Sequence, residues 1–315
     1  MNLVSYSIDG KVCWGLDLFD RIVDGNIAAM SLGSPGYEDL RSVIEDGDSG
    51  LALLNRMENA VRQDLNFQAR VTHARQRVTL RPPISNPRKL LCLAGNYRAH
   101  IQESGFQAPQ TKERVTPQVF LKPSSTIVGP FSPILIQKES VAVDWEVELA
   151  AVIGRRGKYI PVAKAPDYVF GYSIINDVSE RKMNSRMAGR KGREWDGFFD
   201  WLNGKWFDSF APLGPAIVTS DAIGDPHDLS IRLKVNGHLK QDSNTKHMIS
   251  SVPDAIAYVS SFMTLEPGDI IAMGTPAGVG MANNLFLKPG DTVGCELEKI
   301  GQIENTVQLE NSVPV

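Results

Sequence analysis

Three acidic residues alternate along residues 143–154, VDWEVELAAVIG. Asp144, Glu146 and Glu148 would all point to one side of an extended chain, because successive side chains of a strand alternate between its two faces. One interpretation is an edge strand with a solvated polar face. The run AAVIG after Glu148 has no polar face, however, so this end of the strand is expected to be buried.

A fourth acid, Asp177, ends the apolar run YVFGYSIIN, where its ordinary role would be that of a turn former. Carboxylates that cluster in a low-dielectric setting repel one another and take up protons unless a cation compensates them. Oxygen ligands without Cys or His suit a hard divalent ion such as Mg²⁺, Mn²⁺ or Ca²⁺. Three protein ligands would leave positions for water and substrate, which is typical of a catalytic metal.

A second candidate group lies in LAGNYRAHIQESG, residues 93–105. A helical turn is predicted to begin near Asn96 or Tyr97, which places His100 and Glu103 on one helix face. A carboxylate beside an imidazole fixes its tautomer and raises its basicity, so this pair would suit the activation of water. The alternative is an ordinary His–Glu pair at the surface.

The elements that would position these residues begin with an N-terminal unit. Residues 4–18 alternate apolar and polar side chains around Asp9-Gly10, a strong hairpin signal. Residues 51–65 have the periodicity of an amphipathic helix. The proline-rich sequence near residues 81–87 is typical of a connector, so we predict a small α+β domain over residues 1–83.

The remaining sequence, residues 84–315, is rich in short strand-like runs separated by glycine and proline. Residues 252–263 contain one clear helix, begun by Pro253-Asp254. Because strands and helices do not alternate regularly, a doubly wound parallel sheet is disfavoured. We predict a mostly β, α+β fold in which this part is the catalytic domain.

Composition excludes several classes of function. The net charge of −3 supplies no basic field for nucleic acid or an anionic membrane. The three cysteines lack the spacing of a zinc site. The N-terminus does not resemble a secretory signal, and no run reaches the roughly 18 apolar residues of a membrane span. We therefore expect a soluble, cytoplasmic protein without nucleic-acid or membrane partners.

Seven motifs occur in a characteristic order: NYRAHIQE, FLKPSS, VDWEVELAAVIG, GYSIINDVSERK, GKWFDSFAPLGP, VNG and GDIIAMGTPAGVG. Over residues 84–301 the chain thereby resembles the fumarylacetoacetate hydrolase family. The resemblance implies a mixed β-roll and usually a homodimer. It also implies Mg²⁺ or Mn²⁺, with Ca²⁺ as a substitute in crystals, bound by Glu146, Glu148 and Asp177. Asp144 is left outside this ligand set.

The resemblance further implies an enzyme acting on small anionic diketo or 2-oxo acids. The leading hypothesis is hydrolysis of a C–C bond in a 1,3-diketo acid, such as an acylpyruvate or a fumarylacetoacetate-like compound, with water activated by His100 and Glu103. Alternatives are an oxaloacetate decarboxylase or tautomerase, a 2-hydroxyhepta-2,4-diene-1,7-dioate isomerase or decarboxylase, and a 2,4-diketo-3-deoxy sugar acid hydrolase. A silent binding protein is disfavoured, because the set of site residues is complete.

Further site residues follow from the same resemblance. Lys205 is expected to act catalytically near the metal-bound substrate oxygen, and Lys122 to line the site. Thr275 would hold the substrate carboxylate. Arg181 matches the family, whereas Asn184 stands where members often carry Gln to grip that carboxylate, and is one methylene shorter.

Two stretches between these motifs have open interpretations. Residues 181–193 carry six Lys or Arg and form either a solvated, mobile loop or a cationic rim that attracts an anionic substrate. An aromatic block follows, for which we expect packing in the core or in a dimer interface rather than a substrate wall; its members are Trp195, Phe198, Phe199, Trp201 and Trp206.

Overall fold

The computed structural model describes residues 1–18, 20–109, 115–186 and 189–310. Its strands are β1 (Asn2–Ile8), β2 (Lys11–Asp17), β3 (Arg21–Asp24), β4 (Thr72–Ala74), β5 (Thr79–Arg81), β6 (Leu90–Ala94), β7 (Gln118–Lys122), β8 (Ile127–Val128), β9 (Ile134–Ile136), β10 (Val143–Asp144), β11 (Val147–Ile153), β12 (Val169–Asn176), β13 (Ser179–Glu180), β14 (Ala211–Thr219), β15 (Ser230–Val235), β16 (His238–Asn244), β17 (Ile270–Ala272), β18 (Thr292–Leu297) and β19 (Gly301–Leu309). Its α-helices are α1 (Gly25–Ser31), α2 (Leu40–Glu45), α3 (Gly47–Gln63), α4 (Leu65–Val71), α5 (Arg98–Glu103), α6 (Asp196–Asn203), α7 (Ser220–Ile223) and α8 (Val252–Phe262). Its short 3₁₀ helices are Arg75–Arg77, Ser124–Thr126, Val162–Tyr168, Met183–Arg186, Thr245–His247 and Gly280–Asn283.

Most strands belong to two large sheets. The larger has the order β4-β3-β2-β1-β14-β12-β11-β17-β6-β7, with β5 also paired to β1 and β8 to β14. The smaller has the order β16-β15-β18-β19-β9, and β10 pairs with β13 separately. Parallel pairing joins β17 to β6, β14 to β8 and β19 to β9, whereas neighbours such as β11 and β12 run antiparallel. The predicted α+β fold, mostly β and with mixed sheets, is confirmed.

β11 lies inside the larger sheet, between β12 and β17, and all of its residues are buried. Leu149 and Ala151 join the core that extends to the smaller sheet, whereas Ala150 and Val152 join the core beneath α1–α4. A strand covered on both faces has no polar side, which accounts for the apolar run. The interpretation as a solvated edge strand is therefore wrong.

The N-terminal residues supply strands β1–β4 of the larger sheet and the helices that pack on one of its faces. The predicted hairpin is confirmed as β1 and β2, and β1 also pairs with β14. The predicted helix over residues 51–65 is confirmed as α3, which buries Leu54, Met57 and Val61 against the sheet. It ends at Gln63, however; Leu65 instead begins α4 and is exposed. Asp64 then caps α4 by accepting from the backbone N–H of Phe67 at 3.1 Å. The division into domains at residue 83 stays a prediction.

The aromatic block lies mainly at the surface of α6 and just after it. Trp195, Phe198, Phe199 and Trp206 expose 66%, 52%, 51% and 41% of their surface. Core packing was therefore the wrong interpretation for these four, since α6 is a short helix with its outer side in solvent. Trp201 is half-buried and turns toward the larger sheet. Packing in a dimer stays a prediction.

Part of the basic stretch before α6 is engaged in ion pairs. Arg190 contacts both oxygens of Asp200, at 2.7 and 2.8 Å, and Asp196 at 2.9 Å. Arg193 also contacts Asp196, at 3.1 Å. Residues 187 and 188 of the stretch lie outside the described part. The pairing lowers the free positive charge available for a cationic rim. Among the described residues, no helix is both long and apolar enough to cross a membrane.

Candidate active site

Three buried carboxylates converge where β11 begins and β12 ends. One oxygen each from Glu146, Glu148 and Asp177 lies within 4.8 Å of the others. The antiparallel pairing of the two strands brings these residues together, and the Asp177 N–H donates to the Glu146 carbonyl at 2.9 Å. Just before β11, the Glu146 N–H donates to the side-chain oxygen of Asn176 at 2.9 Å. We call Glu146, Glu148 and Asp177 the carboxylate triad.

Lys205 is buried against the triad. Its Nζ donates to Glu146 Oε2 at 2.8 Å and to Asp177 Oδ2 at 2.7 Å. Burial by itself lowers the pKa of Lys205, but the charges of Asp177 and Glu146 outweigh it, so that the pKa lies above its ordinary value. An ammonium carries three hydrogens, so the triad leaves one N–H of Lys205 for another acceptor.

Lys122 has no such spare hydrogen in this arrangement. Its Nζ donates to Asp177 Oδ1 at 2.5 Å, to the Val178 carbonyl at 3.1 Å and to the Phe210 carbonyl at 2.8 Å. These three acceptors use the whole donor capacity of the ammonium. Lys122 thus holds Asp177 in place, and a direct contact with substrate would require one of these bonds to be exchanged.

Asp144 points to a different set of partners from the triad. Its oxygens accept from the backbone N–H groups of Trp145, Gly280 and Met281, at 2.8, 2.6 and 3.0 Å. They also accept from Arg181 Nε at 2.9 Å, and Arg181 donates a further hydrogen bond to Glu146. Asp144 therefore orients Arg181 and fastens the loop that contains Gly280.

That loop follows β17, and acids of the site hold its backbone at two further points. Gly274 donates its N–H to Glu148 Oε2 at 2.7 Å, and Gly278 donates to Glu103 Oε2 at 2.8 Å. Gly278 has a φ of +106°, and a Cβ there would lie 2.0 Å from the Lys240 carbonyl oxygen. Only glycine lets the backbone approach this closely.

Thr275, in the same loop, is already hydrogen-bonded within the protein. Its hydroxyl donates to the Val147 carbonyl at 2.9 Å and accepts from Gln241 Nε2 at 2.8 Å. Gln241 is fully buried and also bonds Val147 N–H and the Pro276 carbonyl, at 3.0 and 2.7 Å. Sequence reasoning missed Gln241, because β16 is polar apart from Leu239 and nothing in its pattern distinguishes this residue.

His100 and Glu103 meet on α5 as predicted. His100 Nδ1 lies 2.8 Å from Glu103 Oε1. Since a carboxylate accepts, Nδ1 carries the hydrogen, and the neutral imidazole keeps its lone pair on Nε2. When His100 is protonated, its positive charge also acts on the triad. Burial raises the pKa of Glu146, but Lys205, Arg181 and His100 lower it, and its pKa lies below the ordinary range.

Asn184 is the predicted site residue that the structure does not bring to the triad. It is exposed on the 3₁₀ helix Met183–Arg186, and within the described residues it makes no hydrogen bond with the triad. The structure does bring together the other predicted residues, directly or through the loop after β17: His100, Glu103, Lys122, Glu146, Glu148, Asp177, Arg181, Lys205 and Thr275.

The donor chemistry of the triad fits a divalent metal. Glu148 receives the Gly274 N–H, but no lysine or arginine among the described residues pairs with it. Burial, Asp177 and Glu146 raise the pKa of Glu148 well above its usual value. A hard dication would offset this accumulation of negative charge, and carboxylate oxygens are the ligands that Mg²⁺ and Mn²⁺ prefer.

Two buried polar atoms close to the triad also lack a hydrogen-bond partner among the described residues. They are the hydroxyl of Tyr97 and the Nδ2 of Asn176. Burial raises the pKa of Tyr97, and the charge of Glu148 raises it further. Asn176 bonds Glu146 through its other amide atom. Unpaired buried donors are rare in proteins, so their presence here is consistent with a site built to receive further groups.

The chain is similar to known proteins in both sequence and structure. A family model described as the C-terminal domain of fumarylacetoacetate hydrolase matches residues 89–308. The mitochondrial oxaloacetate tautomerase fahd2 of Xenopus laevis is 41% identical over 296 residues, which cover 93% of this chain and 85% of that protein.

Two solved structures are similar over nearly the whole chain. A fumarylacetoacetate hydrolase from Exiguobacterium antarcticum has a TM-score of 0.78 at 32% identity, with 98% of this chain and 100% of that chain covered. The maleylpyruvate hydrolase of Sphingobium sp. SYK-6, in complex with manganese(II) ion and pyruvate, has a TM-score of 0.73 at 28% identity, covering 99% and 100%. The predicted fold is confirmed. The prediction of Mg²⁺ or Mn²⁺ as cofactor is supported by the manganese-bound structure and by the buried triad.

Proposed function

Because the chain belongs to the fumarylacetoacetate hydrolase family, we propose that it interconverts the enol and keto forms of oxaloacetate or a closely related 2-oxo dicarboxylic acid. The observation that carries this proposal is a buried carboxylate triad bonded to Lys205, whose third N–H has no hydrogen-bond acceptor among the described residues. The likeness to an oxaloacetate tautomerase over 93% of the chain supports the choice of substrate.

Glu146, Glu148 and Asp177 would hold Mg²⁺ or Mn²⁺, as the charge and the oxygen ligands of the triad favour. When bound, the metal supplies a Lewis acid that polarises the oxygens of the 2-oxo acid.

The protein's own side chains then have separate tasks. The free N–H of Lys205 donates to the oxygen on which negative charge grows as the enolate forms. His100 accepts the enol hydroxyl proton at Nε2 and returns a proton to the neighbouring carbon. Glu103 stabilises the imidazolium in between, through the bond of 2.8 Å to Nδ1.

The substrate should be tested first by following the ketonisation of enol oxaloacetate by its ultraviolet absorbance. The rate is expected to exceed the uncatalysed rate with Mg²⁺ or Mn²⁺ and to fall to it with EDTA. If the protein failed to accelerate the reaction both with Mg²⁺ and with Mn²⁺, the proposal would be contradicted.

The role of His100 is testable by substitution. His100→Ala is expected to slow tautomerisation by about 100-fold, because the proton carrier is lost. The exposed His238 supplies the matched control, and His238→Ala should leave the rate unchanged. Calorimetry should show unaltered Mn²⁺ binding in both variants. If both variants lost the same fraction of the rate, the loss could not be assigned to proton transfer by His100.

Hydrolysis of an acylpyruvate-like 1,3-diketo acid is the second candidate. It is favoured by the His100–Glu103 geometry, which also suits a water nucleophile, and by the likeness to a maleylpyruvate hydrolase solved with pyruvate.

Pyruvate release from a panel of diketo acids and oxaloacetate, measured with lactate dehydrogenase and followed by product identification, separates hydrolysis and decarboxylation from tautomerisation. His100→Ala should abolish hydrolysis but spare decarboxylation, since only hydrolysis needs an activated water.

A homodimer and a cytoplasmic location stay predictions. The Xenopus laevis relative is named as mitochondrial, so cell fractionation is the relevant measurement for location. Light scattering of the purified protein would measure the oligomeric state.

A further inference from the structure

The ammonium of Lys205 borders two aromatic rings as well as the triad. Its Nζ lies 5.3 Å from the ring centroid of Phe120 and 5.9 Å from that of Trp201. The two rings meet edge to face, with centroids 5.0 Å apart. Lys205 is 2% exposed and Phe120 is 8% exposed. We call Phe120 and Trp201 the ring pair.

The ring pair is supplied by elements that are firmly attached next to the site. Phe120 lies on β7, two residues before Lys122. Trp201 lies in the last turn of α6, whose end is closely packed: the Glu180 N–H donates to the Gly204 carbonyl at 2.8 Å. A Cβ at Gly204 would lie 2.1 Å from the Glu180 carbonyl oxygen. Gly204 is followed directly by Lys205, so the position of α6 and that of the lysine are linked.

The ring pair meets a physical need of this lysine. A lysine stem is flexible and its ammonium is strongly hydrated, so two hydrogen bonds to carboxylates do not alone fix the third N–H. Aromatic faces attract a cation and at the same time exclude water from that side. The two bonds to carboxylates and the two neighbouring rings together restrict the directions open to the remaining N–H of Lys205.

We propose that Phe120 and Trp201 are positioning residues that hold the Lys205 ammonium beside the carboxylate triad and fix the direction of its third N–H. Neither ring takes part in the chemistry; each acts through the lysine. The inference rests on the proposed function in one respect, namely that the free N–H of Lys205 meets the negative charge of an enolate.

The test compares Trp201→Leu with Trp201→Phe in the full-length protein. Leucine keeps an apolar side chain but removes the aromatic face, whereas phenylalanine retains a ring. Trp201→Leu is expected to lower kcat for oxaloacetate tautomerisation by about tenfold with little change in KM, and Trp201→Phe to retain at least half of kcat. Phe199→Leu is the matched control, because Phe199 is exposed on the same helix, and it should have no effect.

Binding gives a readout that does not depend on turnover. Oxalate, a planar dianion that mimics the enolate of a 2-oxo acid, should bind the Mn²⁺-loaded Trp201→Leu protein about tenfold more weakly than the wild type in calorimetry. In a Lys205→Met background, the Trp201→Leu change should weaken oxalate binding no further, since the group that it positions is absent.

Two results would overturn the inference. One is a loss of oxalate binding from Trp201→Leu that persists in full in the Lys205→Met background, which would mean general packing. The other is an equal loss in Trp201→Phe and Trp201→Leu. The proposed function fails separately: wild-type tautomerisation by Lys205→Met would exclude the enolate role of Lys205, whatever the ring pair does.

Discussion

At the scale of single residues, Glu148 differs from the other two acids of the triad. Glu146 and Asp177 are each bonded by Lys205, whereas no cation among the described residues pairs with Glu148. Burial and the charges of Asp177 and Glu146 raise the pKa of Glu148, so a cation bound beside it would offset negative charge that the described residues themselves leave unpaired.

Replacing Glu148 should therefore weaken metal binding and, in the absence of metal, raise the stability of the protein. Glu148→Gln is expected to weaken Mn²⁺ binding by at least about tenfold, because one ligand charge is lost. In EDTA the same variant should be more stable than the wild type by about 1 kcal/mol, since a buried, repelled charge is removed. Calorimetry and chemical denaturation measure the two effects. A variant that binds Mn²⁺ like the wild type would exclude Glu148 as a ligand.

Asp144 could not be assigned from its sequence. Its strand position predicted only that it faces the same side as Glu146 and Glu148, and its partners Gly280 and Met281 lie more than a hundred residues away in the chain. Such contacts leave no local pattern.

The assignment of Asp144 as the residue that orients Arg181 has a direct test. Asp144→Asn should lower the free energy of unfolding by about 2 kcal/mol, because an amide cannot accept all the hydrogen bonds that the buried carboxylate receives. Asp242 is the matched control: it also pairs with an arginine at 2.9 Å, but at the surface, so Asp242→Asn should cost less than about 1 kcal/mol. Equal costs would contradict the assignment.

At the scale of elements, the loop after β17 is held in the site by specific residues, namely its own glycines and the acids that accept its backbone N–H groups. Three acids from two parts of the chain accept its backbone N–H groups: Glu103 on α5, and Asp144 and Glu148 on β10 and β11. The glycines of the loop were visible in the sequence, but the acids that bind it were not, because they are distant along the chain. α3 and α8 were predictable from their apolar periodicity, and β11 from its apolar run, since these local patterns coincide with burial.

Alanine substitutions at two glycines with positive φ can separate the cost of a steric clash from the cost of an unfavourable backbone conformation. Gly278→Ala should destabilise the protein by about 3 kcal/mol or more, because the new Cβ meets the Lys240 carbonyl as well as an unfavourable φ. Gly237 has a φ of +77°, but a Cβ added there would meet nothing within 4 Å, so Gly237→Ala should cost only about 1 kcal/mol. Denaturant titrations of both variants measure the difference; equal losses would mean that the loop adapts.

At the scale of the whole molecule, one core joins the N-terminal residues to the rest. Leu54 and Met57 of α3 belong to the same buried cluster as Ala150 and Val152 of β11. The boundary near residues 81–87 stays a prediction; it rests on the prolines of that stretch, which do not report which faces pack together. The exposed aromatic block illustrates a similar limit, since apolar residues are common at protein surfaces.

This shared core predicts that residues 84–315 do not fold alone. Removal of residues 1–83 exposes one face of β11 and its neighbours and takes away the strand that pairs with β14. The fragment should be insoluble or lack a cooperative thermal transition by circular dichroism. A soluble fragment that unfolds cooperatively would instead support two independent domains.

The central claim is metal-dependent tautomerisation at the carboxylate triad. It is tested most directly by the rate of enol oxaloacetate ketonisation on one sample, measured as purified with Mn²⁺, after removal of metal with EDTA, and after Mn²⁺ is restored. We expect the catalysed rate to disappear with EDTA and to return with Mn²⁺ in the wild type, but not in Glu148→Gln. A full rate in protein shown by elemental analysis to be free of metal would contradict the claim.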